Sequence, residues 1–138
     1  MKKAISLLLA LVMCLSLCAC GGNKATLKDY SGKWVREEWT NTKTGAVVNV
    51  TVYLYEDGTF KEESNNSIDG YKECQGTWKI EKDTIVLNTL KIVKGTIKDT
   101  LTYDENGNVR EGITATTKLT IINKLTLENG GIKYNREV

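Results

Sequence analysis

The side chains best suited to covalent or metal chemistry in this sequence are its four cysteines, Cys14, Cys18, Cys20 and Cys74. A thiolate is both a nucleophile and a metal ligand. Three of the four crowd into the first twenty residues, and only Cys74 lies in the body of the chain. A reactive thiol needs a nearby cation or helix terminus to lower its pKa. Lys72 is the one close cation in sequence, and Cys74 alternates with Gly76, Trp78 and Ile80, which reads as a core or wall position. Histidine is absent, so imidazole bases, histidine triads and histidine metal sites are excluded. In extended chain, Glu37-Glu38 and Glu62-Glu63 point to opposite faces, so neither pair is a ready carboxylate dyad; both read as solvated surface. Asp104-Glu105-Asn106-Gly107-Asn108 has the acidity of a calcium loop but lacks the later bidentate glutamate, and reads as a hairpin turn. No catalytic residue, metal ligand or cofactor site emerges, and the chain is read as a non-enzyme.

The N-terminal cysteines have a different chemistry. Lys2 and Lys3 precede an uncharged, mostly aliphatic run from Ala4 to Ala19, the layout of an export signal-peptide helix. The run is slightly short for a spanning helix, which needs about 20 apolar residues. It ends in Leu17-Cys18-Ala19-Cys20-Gly21-Gly22, which resembles a bacterial lipobox: an aliphatic residue, two small positions and an obligatory cysteine. Cys14 and Cys18 follow Met13 and Leu17, both too bulky for the position before the cleavage site. The resemblance implies cleavage after Ala19, a diacylglyceryl thioether on Cys20 and a further acyl chain, palmitate or similar, on the new amine. Two such chains anchor a protein stably where one does not. The expected location is the extracytoplasmic face of the cell membrane, with the membrane itself as first partner.

Three segments follow from that boundary: a signal peptide over 1–19, a lipidated tether over 20–28 and one domain over 29–138. Cleavage removes Lys2 and Lys3 and no acid, leaving 17 of the 19 basic residues against 17 acidic ones. A neutral domain lacks the basic face that nucleic acid requires, so nucleic acid is excluded as a partner. With Cys20 lipidated, Cys74 has no partner for an intramolecular disulfide, and packing alone must hold the fold. The domain is expected to be a monomer.

The elements that position these residues read as strands. Val47–Tyr55 is the clearest: Val48, Val50, Val52 and Leu54 share one face, and Asn49, Thr51, Tyr53 and Tyr55 the other. Lys33–Thr40, Thr59–Glu63, Tyr71–Ile80, Thr84–Leu90, Val109–Thr116, Lys118–Ile122 and Ile132–Arg136 are further expected strands. Ser64–Gly70 reads as a mobile polar loop, and Leu27–Tyr30 as a short helical piece. The fold class is all-β: a small antiparallel up-and-down barrel of about 8–10 strands, preceded by the signal-peptide helix.

The order of Gly32-Lys33-Trp34, Asp57-Gly58-Thr59-Phe60, Gly76-Thr77-Trp78, Leu125-Thr126-Leu127 and Tyr134-Asn135-Arg136 resembles the bacterial lipocalin-like domain, over nearly all of Asp29–Val138. The resemblance implies that Trp34 sits at the closed end of the barrel with Arg136 packed over it, a structural pair. It also implies a small apolar ligand or lipid in the interior, lined by Val48, Val50, Val52, Leu54 and Trp78. The alternative is a filled barrel acting as an interaction module, an inhibitor or accessory subunit, for an envelope protein. A hollow interior favours the first and a filled one the second.

Overall fold

The computed structural model describes residues 25–138, so the expected signal-peptide helix and Cys20 lie outside the described residues. The described chain forms nine strands, all paired antiparallel: β1 (Gly32–Arg36), β2 (Trp39–Thr40), β3 (Val47–Leu54), β4 (Thr59–Asn66), β5 (Gly70–Glu81), β6 (Thr84–Lys94), β7 (Ala115–Asn123), β8 (Thr126–Asn129) and β9 (Ile132–Glu137). From β3 to β9 each strand pairs with the next. β1 then pairs with both β9 and β3, closing an eight-stranded barrel, while β2 adds a short ninth strand beside β3. Closure leaves the eight main strands without a free edge to template aggregation.

Alternation along the strands builds the core. Val50, Val52 and Leu54 of β3 face inward and meet Trp34, Phe60, Trp78, Ile85, Leu87, Leu119 and Leu127 in one buried cluster. Burying each such aliphatic or aromatic side chain contributes about 1.5–3 kcal/mol, which lets packing hold the domain without cross-links. Gly76 marks the tightest approach. A Cβ there would stand 1.9 Å from the Asn88 carbonyl oxygen, beside the register shifts that bend β5 and β6 round the barrel.

The ends of the barrel differ. At one end a four-residue helix, α1 (Leu27–Tyr30), plugs the opening, and the chain enters there. The Asp29 carboxylate accepts from the Thr26 backbone N–H at 2.8 Å, which fixes the helix start and holds that carboxyl below the usual carboxylate range. The β3–β4, β5–β6 and β7–β8 turns surround α1 and are tied together: Trp78 N donates to Gly58 O, Ile121 N to Asp83 O and Arg136 N to Leu125 O. The opposite end carries the 41–46 turn, the 67–69 turn and the irregular segment 95–114.

Several expected elements are redrawn. Ser64–Gly70 is not a loop: Ser64–Asn66 complete β4, Gly70 opens β5, and only 67–69 turn. Asn66 Oδ1 accepts from the N–H groups of Ile68 and Asp69, so the polar residues make a tight turn and not a mobile stretch. Lys33–Thr40 breaks at Glu37-Glu38 into β1 and β2. Of Val109–Thr116, only Ala115 and Thr116 are strand, the start of β7. Val109 makes one isolated bridge to Tyr103, and the following strand runs unbroken from Ala115 to Asn123. Asp104–Asn108 is the expected turn, with Asp104 Oδ1 accepting from Asn106 N and Asn108 N.

Candidate functional site

At the closed end the structure brings Trp34 and Arg136 together. They are register partners on β1 and β9, and the guanidinium carbon lies 5.6 Å from the indole ring centroid. The indole N–H donates to Tyr30 O at 2.9 Å, and Arg136 donates to the backbone oxygens of Asp29 and Ser31. Each half of the pair thus clamps α1 into the barrel bottom. Trp34 is fully buried, which leaves no room for a ligand here.

The residues expected to line an apolar cavity lie in this packed half. Val50, Val52, Leu54 and Trp78 belong to the core cluster, and the Trp78 N–H is spent on Tyr55 O at 2.9 Å. Val48 packs against the cluster and also reaches a cleft at the opposite end. That cleft is the candidate site. It holds about 270 Å³ and is lined by Val48, Ser64, Asn66, Lys72, Ile92 and Tyr103, among others. Asp69, Lys98 and Asp99 stand at its rim, where Lys98 and Asp69 form an ion pair and Asp99 Oδ1 accepts from Leu101 N and Thr102 N. A wider groove of about 370 Å³ lies on the outer wall beside Lys61, Gln75 and Leu90, but its lining shows no converging set of polar side chains.

Beneath the cleft, the inward row changes from apolar to polar. Glu62 lies opposite Val52 and Cys74, and further along the same face of β4 come Ser64 and then Asn66. Arg36 faces Tyr134 across β1 and β9. Its Nη2 makes a long 3.4 Å bond to Val48 O, and its buried Nε has no hydrogen-bond partner. Among the described residues, the Glu62 carboxyl makes no hydrogen bond and no ion pair within 4 Å.

Burial pushes the Glu62 carboxyl above the usual glutamate range, with Lys72 and Arg36 only partly offsetting it. The same dry surroundings raise Tyr134, Tyr103 and Cys74, and the Glu62 charge pushes each of the three further up. The Glu62 charge thus acts on all three groups, after burial itself. A neutral, buried Cys74 thiol there is no nucleophile.

Reading Glu62-Glu63 as solvated surface is correct for one member only. Glu63 points outward to Lys61, 2.8 Å away, whereas Glu62 points inward. The signal for Glu62 was its parity with Phe60, the inward anchor of the same strand. Glu37 and Glu38 fall in the break between β1 and β2. Among the described residues, no three His, Cys, Asp or Glu side chains gather as a metal site. Compared with family models, curated proteins and solved structures, the chain gave no match.

Proposed function

We propose that this protein is a lipoprotein anchored through Cys20 at the extracytoplasmic face of the cell membrane, displaying a lipocalin-like barrel as a recognition module. The barrel is filled at its anchored end and recognises an envelope partner through the opposite end. The observation that carries this reading is the packed interior: Val50, Val52, Leu54 and Trp78 are core residues sealed by Trp34 and α1. An apolar ligand held deep in the barrel would have to displace that core. The two ends also divide the labour. Tether and plug occupy one end, and the irregular segment 95–114 with exposed Leu101 and Ile68 occupies the other. Exposed apolar side chains on a polar rim are typical of contact surfaces.

A second reading has its own support. The polar chamber below the mouth leaves the buried Arg36 Nε without a hydrogen-bond partner, near the half-buried Glu62 carboxyl. Unmatched buried polar groups cost about 1–3 kcal/mol each, so a small polar ligand, not an apolar one, would find partners there.

The test is site-specific photocrosslinking in the native host. A photoreactive residue at Leu101 or Ile68 is expected to give one discrete adduct with an envelope component, and one at Asp83, on the closed end, is expected to give none of it. The same adduct from all three positions, or none from the rim, contradicts the assignment.

A further inference from the structure

The closed end is not uniform. Of the three hairpin turns around α1, two are acidic: Tyr55-Glu56-Asp57-Gly58 carries two acids, and Glu81-Lys82-Asp83 carries two acids and one lysine. The third, β7–β8, is different. Ile122 and Leu125 are 53% and 54% exposed, with Lys124 between them. Both aliphatic side chains leave about half of their surface open to solvent at the turn. Lys124 is itself 72% exposed and shares Asp29 with α1 at 3.7 Å, while Lys28 on the same helix adds a second cation. Asp29 is thus one acid against two lysines.

This turn is also the one tied to the point where the chain enters. Arg136 donates to Lys124 O and to Asp29 O, linking the hairpin tip directly to α1. From Ala25, the first described residue, five residue steps lead back to Cys20. Five steps of extended chain reach at most about 18 Å. A barrel tethered so closely must present this end to the lipid surface.

From that juxtaposition we propose that the β7–β8 turn is a second membrane contact: Ile122 and Leu125 seat in the interfacial layer of an anionic bilayer, with Lys124 and Lys28 over the headgroups. The inference rests on the anchor at Cys20. Aliphatic side chains flanked by lysine suit that layer, because apolar burial and attraction to anionic headgroups act together. The acidic turns on the other side of α1 are repelled, so the contact sets a tilt as well as a depth. Seating this end turns the mouth away from the membrane, towards a partner.

The experiment uses the full lipidated protein in vesicles of phosphatidylglycerol and phosphatidylethanolamine. An environment-sensitive NBD fluorophore is placed on Leu125→Cys, on Ile122→Cys or, at the mouth, on Leu101→Cys. Cys74 is buried with its thiol pKa raised, so it competes poorly for the label. Blue-shifted emission at positions 125 and 122, none at 101, and a reduced shift on adding Lys124→Glu are expected. Protein that partitions into vesicles with unshifted emission at both 125 and 122 overturns the seating while leaving the anchor intact. Protein that fails to partition overturns the anchor, and the seating with it.

Discussion

Glu62 is the residue whose placement most changes what the barrel can do. Its carboxyl sits among Val52, Cys74 and Tyr134 without a hydrogen bond, and burial raises its pKa. For an acid shifted upward, protonation favours the folded state. The stabilisation is therefore full below the ordinary glutamate range and is lost as pH rises through the raised folded-state value. Glu62→Gln mimics the protonated form. It is expected to stabilise the domain by about 1 kcal/mol at neutral pH, the scale of an unmatched buried polar group, and to change little below about pH 4. Urea denaturation at the two pH values measures this; a variant less stable at neutral pH would show that the ionised carboxylate has a partner. The Trp34–Arg136 juxtaposition was legible from the lipocalin-like motif order, and Cys74 from its parity with Trp78. Glu62 was equally legible by parity with Phe60. Its charge argued the other way, since acids seldom face the interior of a barrel.

At the scale of elements, alternation was readable wherever the interior is apolar. Val47–Leu54 is the clearest case: the valine row declares both strand and inward face. The reading failed where strands turn polar inside. Ser64 and Asn66 continue the inward row of β4, but a run of serine, asparagine and aspartate is also what a loop looks like. The expected strand over Val109–Thr116 was drawn too early in the chain. The stretch before Ala115 makes only scattered backbone bonds, to Leu90 O on the free edge of β6 and to Thr102 O, and forms no continuous ladder. The β5–β6 bend depends on a missing side chain. Gly76→Ala would press a Cβ against the Asn88 carbonyl and the Phe60 ring, at 1.9 and 2.8 Å. Backbone cannot yield there without shifting the register, so a loss of about 3 kcal/mol is expected, read as a lower thermal midpoint. A variant of unchanged stability would mean that the bulge is free to relax.

For the whole molecule, the two ends define the account. One is plugged by α1, clamped by Trp34 and Arg136, and joined to the segment that carries Cys20. The other is open, polar and rimmed by irregular chain. No helix among the described residues is long and apolar enough to cross a membrane. The strand pattern was legible in the sequence, but the asymmetry of the ends was not. That asymmetry arises from which turns meet in space, and turns distant along the chain leave no joint signature. The most direct measurement is intact-mass and peptide mass spectrometry of the mature protein from its native host. The account predicts an N-terminus at Cys20 bearing a diacylglyceryl thioether. A mature chain that begins elsewhere, or that carries an unmodified Cys20, would contradict it.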